Sequence, residues 1–106
     1  MKSPNQLSAL EAARAIEAGS LTSEALVRSC LDRIAERNEQ VLAFTAVHPD
    51  LALAHARQAD RTSAGPLRGI PFAVKDVIDT VDYETTYGSR VYPGHRPRVD
   101  AGCVAV

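Results

Sequence analysis

The short apolar run Ile70-Pro71-Phe72-Ala73-Val74 constrains this chain more than any other feature. The turn residues Gly65-Pro66 and the pair Gly69 and Pro71 lead into it, and Lys75-Asp76 ends it. A bounded run of this length, rich in Ile and Val, predicts a buried strand over 70–75. Such a strand shows no polar alternation because both of its faces are covered. In α/β proteins, sites gather at the C-terminal ends of buried strands. Lys75 falls at that end and is expected to be half-buried there. Desolvation lowers an amine's pKa, and a lysine so placed serves as a base or proton relay. The plainer reading is a solvated lysine that closes an element.

The chain before this run reads as helices. Met1 to Leu7 form a short arm. Ser8-x-x-Glu11 is a capping box, in which hydroxyl and carboxylate each satisfy a free backbone N–H. It starts an alanine-rich helix over 8–18 that Gly19 stops. Thr22 caps a second helix over 22–38, with Glu24 in the first turn favoured by the helix dipole. Val27, Cys30, Leu31 and Ile34 share one face of it, while Arg28, Asp32, Arg33, Glu36 and Arg37 make a solvated face. Asn38 is the expected stop.

Leu42 to Val47 is a second predicted strand, since Phe44, Thr45 and Val47 favour extended backbone. His48-Pro49-Asp50 breaks it, and Asp50 is expected to cap a third helix over 50–62. The alanines of that helix suit close packing against a sheet or another helix. Thr62 to Pro66 form a loop. After Asp79 the pattern turns irregular: Tyr83 to Ser89 and Tyr92 to Pro97 are rich in turn residues. A long ordered segment of this kind is often functional. Asp100 reads as the N-cap of a last helix, Ala101 to Val106. The apolar end Val104-Ala105-Val106 suggests an element cut short. The expected class is α/β.

The bulk properties exclude several functions. With 106 residues, 45% hydrophobic, 24% charged and a net charge of −1, the chain has the composition of at most one globular domain. The charge gives no electrostatic case for nucleic acid or an anionic membrane, and no apolar stretch is long enough for a bilayer span. The first residues carry no secretory signal. Cys30 and Cys103 fit no metal-ligand spacing, and Cys30 sits among apolar neighbours, so a reduced, cytoplasmic setting is expected. His48, His55 and His95 are scattered, with no metal pattern. Gly65-x-x-x-Gly69 is no phosphate loop, because no Gly-Lys-Ser/Thr follows.

Residues 65–80, GPLRGIPFAVKDVIDT, together with Thr85-Thr86-Tyr87-Gly88-Ser89 and Pro97-Arg98-Val99-Asp100-Ala101, resemble the front part of the amidase signature family. The likeness extends more weakly over the preceding helices. In that family a Gly-Ile-Pro-x-x-Val-Lys-Asp segment carries a catalytic lysine, which maps onto Lys75. The resemblance implies a layered α/β/α fold with a mixed sheet, of which residues 1–106 would be the N-terminal portion. It also implies cleavage of carboxylic amide C–N bonds by a serine nucleophile, a second serine in a cis peptide and the lysine. The lysine would be neutral at attack and would accept the proton relayed through the second serine. Hydrolysis by a hydroxyl needs nucleophile, base and oxyanion donors, and Ser-Lys variants of the triad are established. Both family serines lie downstream in a Gly/Ser-rich stretch. Ser3, Ser8, Ser20, Ser23, Ser29, Ser63 and Ser89 have no such context. The family's Thr-x-x-Gly-Ser segment, here ending at Ser89, shapes the site without supplying the nucleophile. Asp76 reads equally as a turn former and as a residue that orders the lysine loop.

The resemblance thus implies an amide substrate, no cofactor, no metal, and Lys75 as the one catalytic residue present, so that this chain alone would be inactive. It leaves open a free amidase, one component of an amidotransferase, and a homo-oligomer. A second reading is a small non-catalytic α/β module that binds a partner chain through the apolar end at Val104. A third is a lysine that forms a Schiff base with a carbonyl substrate.

Overall fold

The computed structural model describes residues 1–62 and 65–105. Ser63 and Ala64 of the predicted loop, and Val106 at the end of the predicted last helix, lie outside the described residues. The chain divides into two units, Met1–Phe72 and Ala73–Val106.

The first unit is helical. After a single 3-10 turn at Pro4–Gln6 come α1 (Ala9–Glu17), α2 (Ser23–Val41) and α3 (Pro49–Thr62). The α1 capping box is complete: Ser8 Oγ accepts the Glu11 N–H at 3.2 Å, and Glu11 Oε2 accepts the Ser8 N–H at 2.7 Å. The second of these bonds, reinforced by Lys2, holds the Glu11 carboxyl down at about 2, from an ordinary 4.5. Gly19 ends the helix with φ +79°. Gly19 N–H bonds Ile16 O at 3.1 Å and Ser20 N–H bonds Ala15 O at 3.0 Å, the paired bonds of a Schellman end. The predicted arm is pinned to α2, since Asn5 N–H bonds Ser29 Oγ at 3.1 Å and Ser29 Oγ donates back to Asn5 Oδ1 at 3.0 Å.

The start of α2 is closed from two directions. Thr22 Oγ1 accepts the Ala25 N–H at 3.1 Å, the expected local cap. The preceding N–H groups of Ser23 and Glu24 go to the two carboxylate oxygens of Asp60 on α3, at 2.7 and 3.0 Å. Arg57 and Arg28 both reach Glu24 Oε1 at 3.0 Å and lower the Glu24 carboxyl, Arg57 the more. Ser23 is buried and donates its hydroxyl to Gly69 O at 2.6 Å. Gly69 itself has φ +75°, and a Cβ there would stand 2.9 Å from Ser23 Cβ. The small apolar core consists of Ala12, Leu26, Val27 and Ala56, with α3 lying against α2.

The expected α/β layering with a mixed sheet is overturned. The described residues form helices and no strand. At 42–47 a side chain takes the place of a neighbouring strand: Asn38 Oδ1 accepts the Phe44 N–H at 2.9 Å and Asn38 Nδ2 donates to Phe44 O at 3.0 Å. Asn38 is therefore not the helix stop. The helix runs on to Val41, and Leu42 at φ +55° turns the chain out and bonds Asn38 O at 2.7 Å. At 70–75 the backbone carries no ladder, and Phe72 is 72% exposed. A buried strand needs a covered face on each side, and the run lacks that cover here. Asp50 likewise is not a cap: Pro49 occupies the first helical position, where its missing N–H costs nothing, and Asp50 lies in the first turn.

Among its described residues the second unit has one short helix, α4 (Gly102–Ala105). Its residues are tied by bonds from side chain to backbone and by backbone bonds between distant residues. The Asp100 carboxylate accepts the Val81 N–H at 2.8 Å instead of serving as the expected cap. Ala101 N–H bonds Asp79 O at 2.9 Å, and Thr85 N–H bonds His95 O at 2.8 Å. Arg96 Nε donates to Val81 O at 2.8 Å and its Nη2 to Asp82 O at 3.3 Å. The buried residues are polar, Thr80 and Thr85. No described helix is long and apolar enough to cross a membrane.

These contacts give separate expectations. Gly19→Ala meets nothing within 4 Å, whereas Gly69→Ala meets Ser23. Both variants should lose about 1–2 kcal/mol for placing a Cβ at positive φ, and Gly69→Ala should lose more, as read from denaturant midpoints. The lowered Glu11 carboxyl stabilises α1 fully above an ordinary 4.5, and that contribution is lost as pH falls through about 2. Carbon-13 titration of Glu11 should therefore give a midpoint near 2 that moves upward in Lys2→Ala.

Candidate active site around Lys75

Lys75 lies in the second unit, at the start of a tight turn in which Ile78 N–H bonds Lys75 O at 3.0 Å. Its side chain is exposed, so the expected half-burial is not found. The described residues fix the backbone next to it.

That fixing is concentrated on Asp76. Its carboxylate accepts the Thr86 N–H at 2.7 Å, the Thr86 hydroxyl, and the Gly88 N–H at 3.4 Å. Its own carbonyl accepts the Tyr87 N–H at 2.8 Å. The Thr86 hydroxyl, then the Thr86 N–H, hold the carboxyl below its ordinary value, helped by the Gly88 N–H and the Lys75 charge. Of the two sequence readings of Asp76, the geometry matches the one in which it orders the lysine loop.

The clasped segment is itself unusual. Tyr87 has φ +56° and Gly88 φ +68°, and Ser89 N–H bonds Thr86 O at 2.9 Å. Positive φ at both central residues is the pattern of a type I′ turn, which favours Asn and Gly. A tyrosine there costs on the order of 1–3 kcal/mol and persists only where surrounding contacts impose it. Its hydroxyl donates to Asp79 Oδ1, which keeps the phenol protonated to higher pH than usual. Its ring meets the Tyr92 ring edge-on at 5.4 Å between centroids and the His95 ring at 6.0 Å.

Five of the described serines have structural work. Ser8 caps α1, Ser20 donates to Ala15 O, Ser23 closes on Gly69 and Ser29 holds Asn5. Ser89 Oγ accepts the Val91 N–H at 3.1 Å, a local turn bond. Among the described residues no three His, Cys, Asp or Glu side chains are grouped to hold a metal. Cys30 is half-buried, and burial pushes its thiol up. Sequence reading missed Thr86 and Asp79. The signal for them was the excess of hydroxyl-bearing residues at 85–87 downstream of a pair of carboxylates at 76 and 79.

The amidase family model matches residues 25–106. A glutamyl-tRNA(Gln) amidotransferase subunit of Chloroflexus aurantiacus is 43% identical over 102 residues, which is 92% of this chain and 21% of that protein. The subunit of the same name from Oleidesulfovibrio alaskensis is 42% identical over 98 residues, 90% of this chain and 20% of that protein. The one from Thermobifida fusca is 41% identical over 101 residues, 91% and 20%. The chain thus spans about a fifth of the length of these curated relatives. No solved structure matches it.

The clasp predicts a pH response. A depressed carboxyl stabilises its surroundings above the ordinary value of 3.8, and the contribution is lost as pH falls through the lower folded value. Thr86→Val removes the largest cause. Titration of the Asp76 carboxyl should then move up toward 3.8. An unchanged midpoint would show that the hydroxyl contributes nothing.

Proposed function

The chain belongs to the amidase family, and we propose from that membership that it is the N-terminal portion of an amidase domain that cleaves carboxylic amide C–N bonds. Lys75 is the base. The observation that carries this is the fit of Gly69-Ile70-Pro71-x-x-Val74-Lys75-Asp76 to the family's lysine segment, with the lysine side chain free and its backbone held by the adjacent aspartate.

In the reading proposed, the neutral Lys75 amine takes the proton of the nucleophilic serine through the second serine, and later returns it to the leaving nitrogen. The nucleophile's oxygen forms the bond to the carbonyl carbon as the C–N bond breaks, and water then releases the acid. Both serines lie in sequence beyond these residues. A side chain that stays exposed until the serine segment meets it suits this division. The desolvation that would favour a neutral amine then comes from that later segment.

The relatives' shared name supports a narrower version. A chain resembling a subunit of a glutamyl-tRNA(Gln) amidotransferase would release ammonia from an amide donor and work with partner subunits. A cytoplasmic setting belongs to the same proposal.

Residues 1–106 by themselves are expected to give no turnover of a simple amide or ester, because triad members act as a unit. Turnover by this chain that Lys75→Ala abolishes would sink the proposal. The protein extended through a Gly/Ser-rich segment should hydrolyse amides and lose on the order of 10³-fold or more in kcat in Lys75→Ala.

A further inference from the structure

We propose that Asp76, locked by Thr86, is the positioning residue that fixes the backbone from which Lys75 reaches its serine partner. The inference rests on the reading of Lys75 as the base, and it goes further by naming what aims that base.

The geometry is asymmetric in a way that suits the role. The Lys75 carbonyl is engaged by the Ile78 N–H at 3.0 Å, and the Asp76 carbonyl by the Tyr87 N–H at 2.8 Å. The Asp76 carboxylate takes the Thr86 N–H, the Thr86 hydroxyl and the Gly88 N–H. The main chain on the C-terminal side of Lys75 is thus held by a segment some ten residues later in sequence, while the Lys75 side chain stays exposed. A lysine has four rotatable side-chain bonds, so its amine finds one place reproducibly only if its Cα is fixed. A misplacement of about 1 Å at a reacting group costs about 10²-fold in rate.

The turn that supplies the donors supports the same conclusion. Tyr87 is held at φ +56°. That conformation places the N–H groups of Thr86, Tyr87 and Gly88 on one residue, Asp76. An unfavoured backbone is retained where it converges donors on the neighbour of the base. Asp76 does not touch substrate in this account. It acts through Lys75.

The test uses the full-length protein, steady-state amide hydrolysis and melting temperature together. Thr86→Val should lower kcat about 10- to 100-fold with KM within about twofold, and Thr86→Ser should restore it. Asp76→Asn should lose at least as much. Should Asp76→Asn fail to fold, the Thr86 pair decides. Lys75→Ala at wild-type kcat would overturn the reading of the base and this inference with it. Loss in Lys75→Ala alongside wild-type kcat in Thr86→Val and Asp76→Asn would overturn the positioning role only. A Thr86→Val loss shared by kcat and KM, following melting temperature and not rescued by Thr86→Ser, would mark Asp76 as merely structural and overturn it as well.

Discussion

One carboxylate organises the helical unit. Asp60 on α3 accepts the first N–H groups of α2 with its two oxygens. Helix starts leave several donors open, and a charged acceptor there is favoured by both hydrogen bonding and the helix dipole. Because the acceptor comes from another helix, capping and helix packing become one event. The apolar core alone is slight, with Ala12, Leu26, Val27 and Ala56 as its buried side chains. The angle at which α2 and α3 meet is thus set by polar groups as much as by the area buried. Ser23 continues the chain of bonds to Gly69, and so ties the entry of the lysine segment to the same helix start.

Parts of this were legible in the sequence and parts were not. Local rules found the Ser8–Glu11 box, the Gly19 end and the Thr22 cap, because each depends on residues within one turn of its target. Asp60 was invisible to them, since its partners lie 37 and 36 positions away. The strand expectations failed for a related reason. Composition at 42–47 and 70–75 describes a willingness to extend, but a strand exists only through a partner. Asn38 supplied that partner at Phe44 with one side chain. Motif reading singled out Lys75, and its exposure was a matter of neighbours that could not be read from the run itself.

The second unit shows how an irregular segment becomes ordered without a core. Asp76, Asp79 and Asp100 each take backbone or hydroxyl donors from elsewhere in the unit, and Arg96 takes two carbonyls. Carboxylates and a guanidinium do here what a ladder does in a sheet. Such an arrangement holds the main chain closely while leaving side chains such as Lys75 outward. It suits the proposed role of Lys75 as a side chain offered to a later segment.

The Ser23–Gly69 bond joins positions 46 apart, and that separation has a meaning on the ribosome. Chains emerge from the N-terminus, so α2 is made well before Asp60 and Gly69 exist outside the exit tunnel. Until then only Thr22 closes its first turn. Most of a helix's stability in a protein comes from packing against other elements, and loop closure must be met before a distant cap rewards it. During synthesis α2 therefore waits half-finished, with its buried face and open N–H groups accessible to water. Later residues of this unit, Asp60 and Gly69, complete its long second helix. Order then arrives together with the segment that carries the lysine.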